Sequence, residues 1–199
     1  IKLRLIQKKY LLFWFLYFLS PFFVNFVLFS PTYMIDQFGY HMTVSSIKQG
    51  TYNLPQFSLD IDFIKRARIG FSGYFFSVMP IFSLMTVTSI AFINKLIVFF
   101  MYVFVSKRID ESKLILFIMI PSLILYSSVG LRDIITLAFG VVSLIYLIEK
   151  KVILSLVFAI LVLLTKLQNF PGFFLAWIFM FVFKADKSYF RIILGLFVV

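Results

Sequence analysis

Three side chains able to do chemistry lie within six residues of one another, in the segment Asp36-Gln-Phe-Gly-Tyr40-His41. If this segment is helical, Asp36 and Tyr40 share a helix face because they are four residues apart. A carboxylate in this position suits a general base or a metal ligand. The alternative is a helix-capping acid in a solvated loop, beside an ordinary loop histidine. The chain has no second histidine, so His41 cannot belong to a two-histidine metal site.

A second polar cluster is the turn Gly130-Leu-Arg132-Asp133, which follows the segment Pro121-Ser-Leu-Ile-Leu-Tyr126-Ser-Ser. Gly130 permits a tight turn, and Asp133 suits the positive end of the dipole of a helix that begins there. The planar guanidinium of Arg132 offers two parallel hydrogen bonds to a phosphate. The alternative is that Arg132 and Asp133 form a capping pair whose charges neutralise each other.

Two lysines interrupt apolar runs that are long enough to cross a membrane. Lys95 follows Asn94 inside one run, and Lys166 follows Thr165 at the end of another. An ionisable residue within a membrane span is a candidate for substrate binding. The alternative for both lysines is that the long side chain carries its charge to the membrane interface.

The composition indicates an integral membrane protein. Hydrophobic residues make up 62% of the 199-residue chain and charged residues only 14%, a balance that water-soluble domains do not have. The net charge of +11 fits a membrane protein whose cations lie in short cytoplasmic loops. These cations are too scattered to form a nucleic-acid-binding surface, so we expect no nucleic-acid partner. The absence of cysteine excludes disulfides and thiolate chemistry.

The alternation of apolar runs and basic turns predicts an all-α fold, a polytopic transmembrane helix bundle of about six or seven spans. The predicted spans are Leu11–Ser30, Val87–Val105, Leu114–Ser127, Leu131–Ile148, Val152–Leu167 and Phe170–Phe183, with a seventh that begins near Tyr189. We expect residues 1–199 to form a single transmembrane domain with a cytoplasmic N-terminus. The last apolar run is too short to span, which predicts that the chain is the N-terminal part of a longer protein.

Residues 31–85, which are polar as far as Gly70, are predicted to form the first extracytoplasmic loop. Within it, Phe71–Met85 is predicted to be an interfacial helix that does not cross the membrane, because crossing would place Lys107 and Arg108 outside. This arrangement puts Asp36 and Asp133 on the outer face.

Taken in order, these segments resemble the N-terminal half of the GT-C superfamily of integral-membrane glycosyltransferases, in particular the protein-O-mannosyltransferase-like branch. Met34-Ile-Asp36-Gln37-Phe-Gly-Tyr40 resembles the Asp-Glu-x-x-Tyr motif that opens the family's first outer loop. Four further stretches resemble other parts of the family. Ile64 to Met85 resembles the interfacial segment, and Ile90-Ala-Phe-Ile-Asn94-Lys95-Leu resembles the start of the second span. Pro121 to Asp133 and Leu164 to Pro171 resemble later outer turns. Gln37 stands where the family has its second acid, so Asp36 is the sole candidate base in this loop.

The resemblance implies an enzyme that transfers a sugar from a polyprenyl-phosphate donor to a glycan, lipid or protein acceptor on the extracytoplasmic face. Asp36 would deprotonate the acceptor hydroxyl, and Arg132 and Lys166 would hold the lipid phosphate. Asp133 would orient Arg132 or help to bind a divalent metal ion, although no metal-ligand set is assigned. The other substrate-binding candidates are Tyr40, His41 and Lys95. The expected location is the bacterial inner (plasma) membrane, in contact with membrane lipid.

Two alternatives stay open at this point. The Gly130-Leu-Arg132 turn also resembles the Gly-Leu-Arg segment of polymerase-type proteins that build bacterial O-antigen and exopolysaccharide. Those proteins share the lipid-linked sugar substrate but lack the acidic first loop. A membrane transporter or a non-catalytic scaffold would use the same cations as an anion pathway, and it predicts inverted internal repeats.

Overall fold

The structure, a computed structural model, describes residues 10–29, 35–53, 61–79, 87–108 and 111–182. Every regular element within these ranges is helical, which confirms the predicted all-α class. The helices are α1 (Leu11–Phe23, continued by the π-helical turn Val24–Leu28), α2 (Ile35–Lys48), α3 (Ile61–Val78), α4 (Val87–Ser106), α5 (Glu111–Ile118), α6 (Pro121–Ser128), α7 (Asp133–Ile148), α8 (Val152–Thr165) and α9 (Phe170–Val182, after the 3₁₀ turn Leu167–Asn169). Residues 80–85 of the predicted interfacial segment and the predicted seventh span lie outside the described residues.

Among the residues that the structure describes, two segments are long and apolar enough to cross a membrane, namely Leu11–Leu28 and Thr88–Ser106. A secretory signal and the core helix of a water-soluble protein have the same length and composition. The apolar helices α7 and α8 and the segment Leu167–Val182 are shorter than these two. The bundle of six or seven spans therefore stays a prediction.

Helix α1 continues through a proline because neighbouring side chains replace the missing hydrogen bond. Pro21 has no N–H to donate to the carbonyl of Tyr17, four residues earlier. The hydroxyl of Ser20 donates to that carbonyl instead, at 2.7 Å. The Nδ2 of Asn25 donates to the carbonyl of Pro21 at 2.8 Å, where the helix widens into the π-helical turn.

The predicted span Leu114–Ser127 is two short helices, α5 and α6, and not one long helix. The break falls immediately before Pro121, which begins α6. Ile120 has an extended backbone conformation with φ −58° and ψ 126°. The proline ring disfavours the helical region for the residue that precedes it, which favours a break at this position.

The chain divides into two compact units. The first comprises Ile1–Leu54 and Gly73–Ile134. Among its described helices, α1, α4 and α6 pack on one another. The ring of Trp14 on α1 is buried there, with its centroid 4.9 Å from those of Phe99 and Tyr102 on α4. This aromatic core fixes the helices that carry the candidate site.

The second unit comprises Pro55–Ser72 and Ile135–Val199. Its described helices α7, α8 and α9 are joined by buried hydroxyl groups. The hydroxyl of Ser143 donates to the carbonyl of Ser155 at 2.7 Å, and that of Ser155 donates to the carbonyl of Ser143 at 2.8 Å. The indole Nε1 of Trp177 donates to the Ser155 hydroxyl at 2.7 Å. Since α3 and α7 each contribute to both units, a single domain over residues 1–199 stays a prediction.

Candidate functional site

Four of the predicted site residues come together around the ring of Tyr40, in the first unit. Tyr40 lies on α2 with only 9% of its surface exposed. The guanidinium carbon of Arg132 is 5.6 Å from the centroid of the Tyr40 ring. Asp36 lies one turn earlier on α2, and Asp133 begins α7. Asp36, Tyr40, Arg132 and Asp133 are called the Tyr40 cluster below.

Burial, more than the charges of the cluster, keeps the phenol of Tyr40 neutral. Burial raises the pKa of Tyr40 to about 12, and this is the largest effect. The positive charge of Arg132 lowers this pKa, while the negative charges of Asp133 and Asp36 raise it. All three charged groups are therefore close enough to act on the same phenol, although Asp36 and Arg132 are far apart in sequence.

The members of the cluster differ in their access to solvent. Asp36 is exposed, whereas Arg132 and Asp133 are half-buried. An exposed carboxylate can reach the hydroxyl of an incoming molecule, and a half-buried guanidinium binds an anion in surroundings that screen the charge less than water does. The carboxylate of Asp36 can therefore accept a proton, and the guanidinium of Arg132 can hold an anion nearby.

Gln37 is a buried residue of the site that the sequence interpretation treated only as a missing acid. Its side chain is 1% exposed, and its Oε1 accepts a hydrogen bond from the backbone N–H of Gly130 at 3.3 Å. The contact joins α2 to the turn that carries Arg132. No local pattern in the sequence signals it, because the two residues meet only when α2 and the turn pack together.

Lys95 lies fully buried on α4, against α6 and α1. Its Nζ donates to the hydroxyl of Ser127 at 2.8 Å and to the carbonyl of Ile124 at 3.1 Å. The same nitrogen lies 3.8 Å from the centroid of the Tyr17 ring. The hydroxyls of Tyr17 and Ser127 are 2.8 Å apart. Because Ser127 donates its own proton to the carbonyl of Leu123, its oxygen accepts from both Tyr17 and Lys95.

Asn94, next to Lys95, holds the turn between α6 and α7. Its Nδ2 donates to the carbonyls of Val129 and Leu131, both at 2.8 Å. These two carbonyls fix the orientation of the amide, because the reverse orientation would place oxygen against oxygen. Sequence analysis named Asn94 as part of a motif but did not give it a role.

The two remaining candidates are His41 and Lys166. His41 is half-buried on α2, and its Nε2 has no hydrogen-bond partner among the described residues. Lys166 follows α8 in the second unit and is half-buried. The neighbouring Thr165 is buried and shares a 3.0 Å hydrogen bond with Thr136.

In the part of the chain that the structure describes, no group of three or more histidine, cysteine or acidic side chains is placed to hold a metal ion. Comparison with models of protein families, with curated proteins and with solved structures found no match to this chain. The resemblance to the GT-C superfamily therefore rests on the quoted motifs alone.

Proposed function

We propose that the chain is part of a membrane-embedded glycosyltransferase that takes a sugar from a polyprenyl-phosphate donor and transfers it to an acceptor hydroxyl on the extracytoplasmic face. The observation that carries the proposal is the Tyr40 cluster, in which an exposed carboxylate and a guanidinium act on one buried phenol. Transfer from a sugar phosphate needs a base for the acceptor and a positive charge for the leaving phosphate. The cluster contains both.

The outward faces of the helices support a location in the membrane. Helix α1 exposes large apolar side chains along its length, and so does α8: Leu11, Leu12, Phe15, Leu16, Phe22, Phe23, Phe26, Ile153, Leu154, Leu156, Val157 and Ile160. Only 28% of the apolar window Leu11–Leu28 is buried inside the protein. Contiguous apolar surface on this scale is typical of contact with lipid, not with water. The bacterial inner membrane is the proposed location.

In the proposed reaction, the acceptor oxygen attacks the anomeric carbon of the donor, and the bond from that carbon to the phosphate oxygen breaks. The electron pair of this bond leaves with the polyprenyl phosphate, whose charge Arg132 stabilises. The proton of the acceptor hydroxyl moves to Asp36 and then to water. Tyr40 provides a neutral hydrogen-bond donor between these two groups, and Asp133 orients Arg132.

A divalent metal ion does not enter the proposed steps. Asp36 and Asp133 are the only carboxylates of the cluster, and Gln37, in the position of a further acid, has its Oε1 bound to the Gly130 N–H. Mg²⁺ in proteins is bound by one or two carboxylates together with waters and substrate phosphates, so Asp36 and Asp133 would be its candidate ligands here. The family resemblance also implies a phosphate-binding role for Lys166.

Replacing Asp36 by asparagine tests the proposal. In membranes that contain the full-length protein, we expect Asp36→Asn to abolish sugar transfer from a polyprenyl-phosphate donor, because the amide cannot accept the proton. Glu149→Gln is the matched control, since it removes a carboxylate in the turn before α8, where Glu149 pairs with Lys151 at 2.8 Å. The control variant should keep wild-type transfer.

The same variant separates the alternatives. A polymerase-type enzyme would use the Gly130-Leu-Arg132 turn without the acidic segment, so its transfer would survive Asp36→Asn. A transporter or a scaffold would show no transfer even in the wild type.

A further inference from the structure

We infer that Asn94 and Lys95 are positioning residues, which hold the turn 129–131 so that Arg132 lies over Tyr40. The evidence for the position of the turn is the set of hydrogen bonds that Asn94 and Lys95 donate. The consequence of this position for phosphate binding rests on the proposed function. Asn94 and Lys95 are adjacent on α4. This one helix therefore holds the end of α6, through Lys95, and the turn that follows it, through Asn94.

The turn depends on side chains because its backbone is buried and non-helical. Val129, Gly130 and Leu131 are all buried, and Val129 has an extended conformation with φ −110° and ψ 156°. Buried backbone groups outside helices and strands must find partners elsewhere. Here Asn94 binds the carbonyls of Val129 and Leu131, and Gln37 binds the N–H of Gly130.

Lys95 fixes the position from which the turn starts. It binds the carbonyl of Ile124 and the hydroxyl of Ser127, both in the last turn of α6. The aromatic ring of Tyr17 on α1 covers its amine. Since Lys95 points into α6, its effect on the cluster passes through the position of α6, without contact with the substrate.

The choice of asparagine at position 94 supports a positioning role. Its amide offers two N–H groups for two carbonyls, which no other side chain of its size provides. Its Oδ1 is buried and accepts no hydrogen bond from the described residues. A buried acceptor without a partner lowers stability, so stability alone would not favour asparagine here.

A cross-linking experiment tests the placement of the turn without reference to catalysis. The chain has no cysteine. In the full-length protein in membranes, with any other cysteine replaced, Tyr40→Cys and Arg132→Cys should be joined in high yield by a short bis-maleimide, which alkylates both thiols. Asn94→Leu should lower this yield several-fold, because both turn carbonyls lose the amide of Asn94 and that of Val129 is left with the backbone N–H of Leu131. Ser155→Ala is the control, since it removes comparable buried hydrogen bonds from the second unit and should leave the yield unchanged.

Lys95→Met is a second test, which keeps the length of the side chain while it removes the donor groups. It should also lower the cross-linking yield. If Asn94→Leu does not fold, Lys95→Met decides the matter. A yield that neither variant changes, or the absence of cross-linking with Asn94 and Lys95 both in place, would overturn the inference.

A double-mutant comparison tests whether Asn94 affects phosphate binding through the position of Arg132. With Arg132 present, Asn94→Leu should weaken binding of polyprenyl phosphate by roughly tenfold, the range of a lost hydrogen bond to a charged group. In the Arg132→Ala background, Asn94→Leu should cause no further loss of binding. A structural effect independent of Arg132 would instead add to the loss that Arg132→Ala causes. Equal losses in both backgrounds would contradict the inference. If the cross-link responds as expected but the wild type neither binds the lipid phosphate nor transfers sugar, the positioning role stands and the proposed function fails.

Discussion

Tyr40 illustrates how the chemistry of a single residue depends on its surroundings. Its phenol is buried on α2 between two acids and a guanidinium. Burial outweighs the attraction of Arg132, so the pKa of Tyr40 rises to about 12. The group therefore stays a hydrogen-bond donor throughout the physiological range, and it is suited to bind an oxygen of a phosphate or a sugar.

The raised pKa of Tyr40 predicts a loss of stability at high pH. Because folding raises this pKa above the ordinary value of 10.0, the stability that the neutral phenol contributes is complete below pH 10 and is lost as the pH rises to about 12. We expect Tyr40→Phe to lack this part of the alkaline loss. Thermal unfolding of both proteins in detergent, at neutral pH and over this alkaline interval, measures the difference. Parallel curves for the two proteins would contradict the account.

The charged members of the candidate site stand out in the sequence, whereas the groups that contact their surroundings do not. Asp36, Arg132 and Asp133 stand out because ionisable residues are rare in an apolar chain. Gln37 and Ser127 are common polar residues without a distinctive spacing. Their roles depend on which helices pack together, and that information is not local in the sequence.

The helices show how small residues and prolines shape the elements around the site. Pro121 divides a long apolar run into α5 and α6, and the second of these ends at the turn that carries Arg132. An unbroken helix over Leu114–Ser127 would place the turn elsewhere. Hydropathy predicted a span here because it counts apolar residues, whereas the break depends on the backbone of Ile120.

Two helical glycines should respond in opposite ways to substitution by alanine. A Cβ on Gly73 of α3 would lie 2.8 Å from Cγ2 of Thr43 and 2.9 Å from Cδ1 of Ile47, both on α2. A Cβ on Gly39 of α2 would meet nothing within 4 Å. Alanine favours a helix over glycine by about 1 kcal/mol, so Gly39→Ala should stabilise the protein by up to that amount. In Gly73→Ala, steric overlap with Thr43 and Ile47 should offset this stabilisation.

Thermal unfolding of the two alanine variants in detergent measures this difference. Gly39→Ala serves as the control for Gly73→Ala, because both change the same atoms within a helix. Equal stabilisation by both substitutions would show that α2 and α3 are not in close contact at Gly73.

The whole molecule combines a helical fold, which composition and periodicity predicted, with a division into two units that they did not. Helical class follows from long apolar runs, since a helix satisfies its own backbone in lipid. The packing of α1 with α4 and α6 depends on aromatic contacts between distant segments, such as Trp14 with Tyr102. No local pattern in the sequence specifies such contacts.

The proposed orientation predicts which turns face the two sides of the membrane. Gln49 after α2 and Lys107 after α4 are both exposed. Gln49→Cys should react with an impermeant thiol reagent in intact cells, and Lys107→Cys should react only after permeabilisation, because basic turns remain cytoplasmic. Labelling of Lys107→Cys alone in intact cells would invert the topology and remove Asp36 from the outer face.

Binding of polyprenyl phosphate to the full-length protein tests the central claim most directly, because it separates the anion site from the base. Arg132→Ala should weaken binding by tenfold or more, the range of a lost charged contact. Asp36→Asn should bind as the wild type does. Arg108→Ala is the matched control, since its guanidinium lies over the Phe104 ring at the end of α4, and it should also bind normally. Unchanged binding by Arg132→Ala, or equal losses in Arg132→Ala and Arg108→Ala, would contradict the account.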